Sequence, residues 1–134
     1  MEISNSFGPL DIAVSGLRAQ NRNMEIISSN VANARTSKGA DGQPYKRLEA
    51  VFRTENDGIS PVAIDDVVTD NSDFQKILDP GNPNADEQGY VSMPNVNIPT
   101  EMINLTTASK AYQANAAIMK RFQQMAETTL ELLK

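Results

Sequence analysis

The 134-residue sequence contains no cysteine, no histidine and no tryptophan. Without cysteine and histidine the chain has no disulfide bonds, no thiolate nucleophile, no zinc site of the usual ligands and no side chain that readily acts as a general base near neutral pH. A serine-histidine-aspartate triad is excluded, and no glycine-rich phosphate loop follows a candidate strand. We therefore expect a protein that is not an enzyme and that uses no cofactor and no metal ion.

Positive charge and long apolar runs are also scarce. Twelve Lys and Arg residues stand against 17 Asp and Glu, which gives a formal net charge of -5. Nucleic acids and anionic lipids are bound through clustered Lys and Arg, so we expect neither as a partner. No window approaches the roughly 20 apolar residues that span a bilayer, and the first ten residues lack a basic region followed by an apolar stretch. We expect no membrane insertion and no cleaved signal peptide.

The N-terminal part does contain a regular apolar pattern, with alternating steps of three and four residues that place side chains along one stripe of a helix. This spacing predicts a helix over about residues 6–34. Ser6 is a suitable N-cap, Pro9 fits the first turn, and Asp11 suits the positive end of the helix dipole. The stripe, called here the N-terminal seam, comprises Phe7, Leu10, Val14, Leu17, Asn21, Met24, Ser28 and Val31.

The C-terminal part repeats this pattern and predicts a second helix over about residues 100–133, capped by Asn97 or Thr100. Its stripe, the C-terminal seam, comprises Met102, Leu105, Ser109, Tyr112, Ala116, Met119, Gln123, Ala126, Leu130 and Leu133. Beside it runs a second apolar line, the lateral line, of Ile118, Phe122, Met125, Thr129 and Leu132. One partner helix cannot cover both stripes, so this helix needs further neighbours.

The middle of the chain, residues 36–99, contains most of the prolines and glycines and reads as short strands joined by turns. The candidate strands are centred on Leu48 to Phe52, Val62 to Ile64, Val67 to Thr69 and Tyr90 to Met93. The sequence thus predicts an α+β fold in which residues 1–35 and 100–134 form one helical domain, with the two long helices pairing as a coiled-coil-like bundle, and residues 36–99 form a small β-rich insert.

Acidic side chains concentrate between Glu55 and Glu87, whereas the preceding stretch, from Arg18 to Arg53, leans basic. Asp65-Asp66 and Asp86-Glu87 read as surface charge, and the oxygen donors between Asp79 and Asp86 lack the spacing of a calcium-binding EF-hand and fit a turn instead. The charge separation leaves two interpretations open: a solvated surface, or complementary patches that meet between subunits.

The seams are interrupted by polar residues, and the first helix is rich in Gly and Asn, which lower helix propensity. We therefore expect both terminal segments to be largely disordered in the free subunit and to become helical on incorporation into an assembly. The alternative is a stable intramolecular helix pair, which the wide apolar face near Phe122 and Met125 would allow.

The run from Ser28 to Thr36, preceded by residues 15–20, resembles the N-terminal signature of the flagellar axial proteins, the family of rod, hook and hook-junction subunits. Asn30, Asn33 and Thr36 match that signature, whereas Val31 stands where Leu is commoner. Residues 41–45, 79–102 and 111–115 are similar to the rod members of the family, so the likeness extends over most of the chain.

This resemblance implies a structural subunit of the proximal rod, which transmits motor torque across the periplasm by helical assembly. It implies export through the flagellar type III apparatus without a cleaved signal peptide. Its partners would be other rod proteins, the rod base adapter protein and further copies of itself. We expect subunit contacts at Leu10, Val14, Leu17, Met24, Asn30, Val31, Asn33, Leu105, Tyr112, Met119, Phe122, Met125, Leu130 and Leu133.

Two alternatives remain at this stage. A type III needle or translocator subunit would share the cysteine-free, helix-terminated architecture, but the signature around Asn30 is not expected in it. A coiled-coil hairpin that binds a single partner would also fit the composition.

Overall fold

Two long helices enclose four short strands in the chain order α1, β1, β2, β3, β4, α2. The computed structural model describes residues 8–54 and 59–133. The elements are α1 (Pro9–Ala32), β1 (Leu48–Thr54), β2 (Val62–Thr69), β3 (Gln75–Leu78), β4 (Tyr90–Met93) and α2 (Ile98–Leu132). β1 pairs antiparallel with β2, and β3 pairs antiparallel with β4, so the insert contains two small two-stranded sheets. The α+β class is confirmed.

The strand predictions are correct in outline and wrong in two details. Val62 to Ile64 and Val67 to Thr69 belong to one strand, β2. Asp66 pairs with Val51 of β1, and Asp65 is a bulge residue without a partner on β1; both are exposed. β3 was not predicted, since all four of its residues are exposed and give no burial pattern.

Local sequence explains where the helices begin. α1 is capped at Gly8, whose backbone N–H donates to Asp11 Oδ2 at 3.2 Å, and Pro9 occupies the first helical position. The predicted cap, Ser6, lies outside the described residues. α2 is capped by Asn97, one of the two predicted candidates, whose Oδ1 accepts hydrogen bonds from the backbone N–H and the hydroxyl of Thr100, both at 3.0 Å.

The two helices pack antiparallel. Gly16 of α1 lies against the Asn115 side chain of α2, and 14 residues later in α1, Asn30 bonds to Glu101, which lies 14 residues earlier in α2. The two helices therefore run in opposite directions in a constant register. The 35 residues of α2 make it about 52 Å long. Continuing the register places Pro9 opposite Phe122, and the last ten residues of α2 therefore extend about 15 Å past the start of α1.

The face of α1 that meets α2 is not the predicted seam. The buried positions of α1 include Ala13, Gly16, Ile27 and Asn30, which lie about one residue, or 100° of helical rotation, from the seam positions. Small and polar residues lie beside Ile27 on this face, and the small ones allow a close approach of the helices: an ideal Cβ on Gly16 would lie 2.6 Å from Asn115 Nδ2. The helices do pair, but a coiled-coil-like pairing is not confirmed, because the predicted seam is not the face at which they meet.

The core is small and lies near the insert. Buried apolar residues occur on both helices, just after α1, in β4 and in the segment that follows β4. They are Ala13, Ala19, Ile26, Ile27, Ala34, Val91, Val96 and Ala108. No helix within the described ranges is both long enough and apolar enough to cross a membrane.

Candidate assembly interface and its supporting junction

Asn30, the first asparagine of the signature, is completely buried and acts as a hub between the helices and β1. Its Nδ2 donates to the carbonyl of Leu48 at 2.8 Å and to Glu101 Oε2 at 3.0 Å. Its Oδ1 accepts from the Leu48 N–H and from the Tyr45 hydroxyl, each at 2.9 Å. The amide thus pairs with both backbone groups of Leu48, as a neighbouring strand would, and closes this edge of the sheet.

Glu101 is the second buried polar residue of the junction, with 1% of its surface exposed. It accepts a hydrogen bond from Arg47 Nε at 2.7 Å, and the Arg47 guanidinium also lies 3.2 Å from Glu49. Burial opposes the charge on Arg47, but its hydrogen bonds and attraction to Glu101 and Glu49 leave its pKa raised above the ordinary value. A buried carboxylate is tolerated here because a guanidinium and an amide both bond to it.

A second asparagine extends the junction to the loop after β4. Asn95 Oδ1 accepts the backbone N–H of Arg47 at 2.8 Å, and its Nδ2 donates to the carbonyl of Asp70 at 3.0 Å. Hydrogen bonds from the backbone and hydroxyl of Ser72, together with the nearby Arg47, hold the pKa of Asp70 below its ordinary value. The insert is therefore tied to both helices through side-chain to backbone bonds.

The other matched signature residues shape the chain after α1. Asn33 Nδ2 donates to the carbonyl of Ser29 at 2.9 Å, and Thr36 donates to Asn33 through its hydroxyl at 3.3 Å and its backbone N–H at 3.0 Å. Asn33 is half-buried, and Asn30 is inaccessible. Asn30 and Asn33, both predicted as subunit contacts, thus form bonds within the chain, and the bonds of Asn33 and Thr36 shape the end of α1.

The N-terminal seam lies on an open side of α1. Ser15 faces the insert, since its hydroxyl accepts the backbone N–H of Val62 at 3.0 Å. Gly16 marks the line along α1 that faces α2. Around the helix axis, Leu17 and Met24 lie on one side of this line, and Ser15 lies on the other side. Leu10 is 46% exposed, and the predicted contacts Val14, Leu17, Met24 and Val31 are half-buried. The rest of the described chain covers the seam only in part.

The first half of the C-terminal seam lies on the same side of the pair. Glu101 marks the line along α2 that faces α1. Asn104 and Thr107 lie on one side of this line and border the cleft between the helices and β1, whereas Met102 and Leu105 lie on the other side. Because the helices are antiparallel, both seams are turned away from the insert. Met102 is 50% exposed, and Leu105 is half-buried. Together they form one apolar surface across the two helices, called here the seam surface.

The end of α2 is exposed on both of its apolar stripes. Phe122, opposite the start of α1, is half-buried. The exposed fractions of the remaining predicted contacts rise along the helix: Tyr112 37%, Met119 40%, Met125 62%, Leu130 63% and Leu133 80%. So many large apolar side chains on one helix are typical of a surface that another protein covers.

Sequence reasoning missed Arg47, Glu101, Asn95 and Tyr45 as partners of the signature. The one available signal was the position of Glu101, an acidic residue that suits the first turn of α2. Within the described ranges no group of three or more acidic side chains is placed to hold a metal ion. The arrangement provides packing surfaces and a rigid junction, which are properties of a structural subunit.

Comparison with known proteins agrees with this view. A family described as "Flagella basal body rod protein" matches residues 10–37, and one described as "Flagellar basal body rod FlgEFG protein C-terminal" matches residues 87–132. The chain is 39% identical over 125 residues to the flagellar basal-body rod protein FlgC of Escherichia coli, covering 91% of this chain and 93% of the relative. It is 37% identical over 135 residues to the FlgC protein of Yersinia enterocolitica, covering 98% of both chains.

A more distant relative is equally complete in coverage. The FlgC protein of Borreliella burgdorferi is 32% identical over 148 aligned residues, which cover 96% of this chain and 97% of that protein. The identity thus extends through the helices, the junction and the insert. This chain belongs to the FlgC family of flagellar basal-body rod proteins and has the structural, non-enzymatic role of that family.

Proposed function

We propose that the chain assembles into the proximal part of the flagellar rod by burying its seam surface and the end of α2 against neighbouring subunits. The observation that carries this proposal is the mismatch between apolar pattern and internal packing. The helices meet through small and polar residues such as Gly16 and Asn115, while Leu10, Met102 and Leu130 remain exposed. The neighbours are other copies, other rod proteins and the rod base adapter protein.

Torque transmission follows from the shape and the junction. α2 is about 52 Å long, so it spans several neighbours along an assembly axis. The junction around Asn30 and Glu101 fixes the insert to the helix pair through buried hydrogen bonds. A twisting load on either helix is therefore passed to the other helix and to β1.

Delivery to the periplasm is proposed to occur through the flagellar type III export apparatus without a cleaved signal peptide. The core contains eight buried apolar residues, four of them alanine, within the described part of the chain. Little apolar area is buried, so the free energy of unfolding before export is small. Assembly then covers the exposed seams and stabilises the subunit in the rod.

The test uses Leu130→Asp, with Gln124→Asp as the matched control. Leu130 is 63% exposed, so a charge there should leave the isolated subunit as stable as the wild type. In a rod, the same charge would be buried against an apolar neighbour and would cost several kcal/mol. Gln124 is exposed on the same helix, outside both apolar stripes. We expect Leu130→Asp to abolish incorporation into basal bodies and swimming motility, and Gln124→Asp to preserve both.

The second arm uses Leu17→Asp in the seam surface. Leu17 is half-buried, so incorporation must be compared with the circular dichroism of the purified variant. We expect a folded insert and no rod. Normal motility with both Leu130→Asp and Leu17→Asp would refute the proposed surfaces.

A further inference from the structure

The end of the β3–β4 hairpin carries an exposed apolar pair beside several acidic residues. Leu78 and Tyr90 face each other across the hairpin and are 60% and 39% exposed. Asp79, Asp86 and Glu87 lie in the connecting segment, and none of them pairs with a basic residue in the described ranges. Residues 78–90, called here the acidic tip, therefore combine apolar area with uncompensated negative charge.

The acidic tip is held in one conformation by its own hydrogen bonds. Asp86 Oδ1 accepts the backbone N–H groups of Gln88 at 2.9 Å and Tyr90 at 2.8 Å. Asn84 Nδ2 donates to the hydroxyl of Ser37 at 3.3 Å, which ties the tip to the chain after α1. A segment that is already ordered loses little conformational entropy when it binds a partner.

A groove of complementary character lies between α1 and β2, with a volume of about 360 Å³. Val62 and Ile64 provide an apolar, half-buried wall, and Arg18 and Arg22 line the helix side. Arg22 pairs with Glu25 at 2.9 Å, whereas Arg18 forms no ion pair within the described part of the chain. We call this feature the arginine groove.

The surroundings of the arginine groove keep its positive charge. The nearest acid along β2, Asp65, is already paired with Arg53 at 3.2 Å. Neither β3 nor β4 contacts α1 or β2 in the described structure, so the acidic tip does not fill the groove of its own chain. Arg18 therefore has no intramolecular competitor among the described carboxylates.

We propose that the acidic tip of one copy docks into the arginine groove of a second copy. Leu78 and Tyr90 would cover the apolar wall, and Arg18 would meet Glu87 or Asp79. Tip and groove are different surfaces, so the contact is heterologous and repeats from copy to copy instead of closing as a symmetric pair. The inference rests on the proposed assembly into the rod, because it identifies the partner that one surface takes there.

Disulfide trapping tests this contact cleanly because the chain contains no cysteine. Ala63 lines the groove and Gln88 lies in the tip, and both are exposed. A chain carrying Ala63→Cys and Gln88→Cys replaces the natural one, and isolated basal bodies are oxidised. We expect a ladder of disulfide-linked copies, with the link between positions 63 and 88 identified by mass spectrometry. The control chain carries Lys110→Cys, at an exposed position on α2 outside the groove, in place of Ala63→Cys, and should give roughly fivefold less ladder.

Charge reversal adds a second readout on the trapped chain. Arg18→Glu should reduce the ladder by roughly fivefold, since an attractive exposed pair becomes a repulsive one, and Glu87→Lys in the same chain should restore it. A ladder no stronger than that of the control chain, or one that Arg18→Glu leaves unchanged, would overturn the contact. Incorporation is read from the same samples after reduction, so a failure of rod assembly is distinguished from a failure of this contact.

Discussion

Replacing Asn30 by alanine should remove the centre of the junction. The change eliminates four hydrogen bonds and leaves the N–H and C=O of Leu48 and one oxygen of Glu101 without that partner. Each buried group left unpaired costs about 1–3 kcal/mol, and Glu101 lies at the low end because Arg47 still bonds to it. Alanine recovers about 0.6 kcal/mol in helix propensity. We expect a net loss of about 3–5 kcal/mol in the free energy of unfolding.

The matched control is Asn23→Ala on the same helix. Asn23 is half-buried, and its side chain forms no hydrogen bond in the described part of the chain. Its replacement should change the free energy of unfolding by less than about 1 kcal/mol, with a stabilising contribution from helix propensity. Urea denaturation followed by circular dichroism measures both variants. Equal stability of Asn30→Ala and Asn23→Ala would refute the assignment of Asn30 as the hub.

A third variant separates charge from shape. Asn30→Asp keeps the size of the side chain but loses its donor, and it places a second carboxylate where Nδ2 now lies 3.0 Å from Glu101. Like charges at this distance repel strongly in a buried setting. We expect Asn30→Asp to destabilise the fold at neutral pH at least as much as Asn30→Ala.

Other consequences of the structure are testable in the same way. Gly16→Ala should gain little stability, because its methyl group would meet Asn115 and offset about 1 kcal/mol of improved helix propensity. In urea denaturation, adding Asn115→Ala to this variant should raise the free energy of unfolding by removing that clash. A carboxyl group whose pKa is lower in the folded state stabilises the fold above its unfolded pKa, and this contribution is lost as the pH falls through the folded pKa. The free energy of unfolding of Asp70→Asn should therefore fall less steeply with pH below about pH 4 than that of the wild type. Hydrogen exchange of the free subunit should be fastest in residues 123–132, which extend past α1, and slow exchange there would contradict the register.

Much of the fold follows from local signals in the sequence. Pro9 and Asn97 indicate the helix starts because their effects depend on neighbouring backbone groups alone. Tyr90 to Met93 is identifiable as a strand from its β-branched and aromatic residues. β3 is not, because its pairing depends on the turn that brings it beside β4, and exposed residues on both faces provide no periodicity.

The importance of the signature was predictable, but the role of its residues was not. Asparagine near a helix end is a common terminator, and Asn33 has that role. The partners of Asn30 lie 15 to 71 residues away in sequence, so no local pattern relates them. Placing Asn30 at a subunit contact assumed that a distinctive polar residue faces a neighbour, whereas the structure buries it inside the chain.

The displacement of the apolar seams explains how one sequence serves both the subunit and the assembly. Helical periodicity identifies the face that is buried in the final state, whether a neighbour belongs to the same chain or to another. In this chain the internal face contains, besides Ile27, several small and polar residues whose contacts are specific, as at Gly16 and Asn30. The larger apolar residues, such as Met102 and Leu130, stay exposed in the subunit and, in the proposed assembly, contact neighbouring chains. If the proposed surfaces are buried in the rod, assembly covers apolar area that the subunit alone leaves exposed, and the stability of the subunit then rises with the presence of its neighbours.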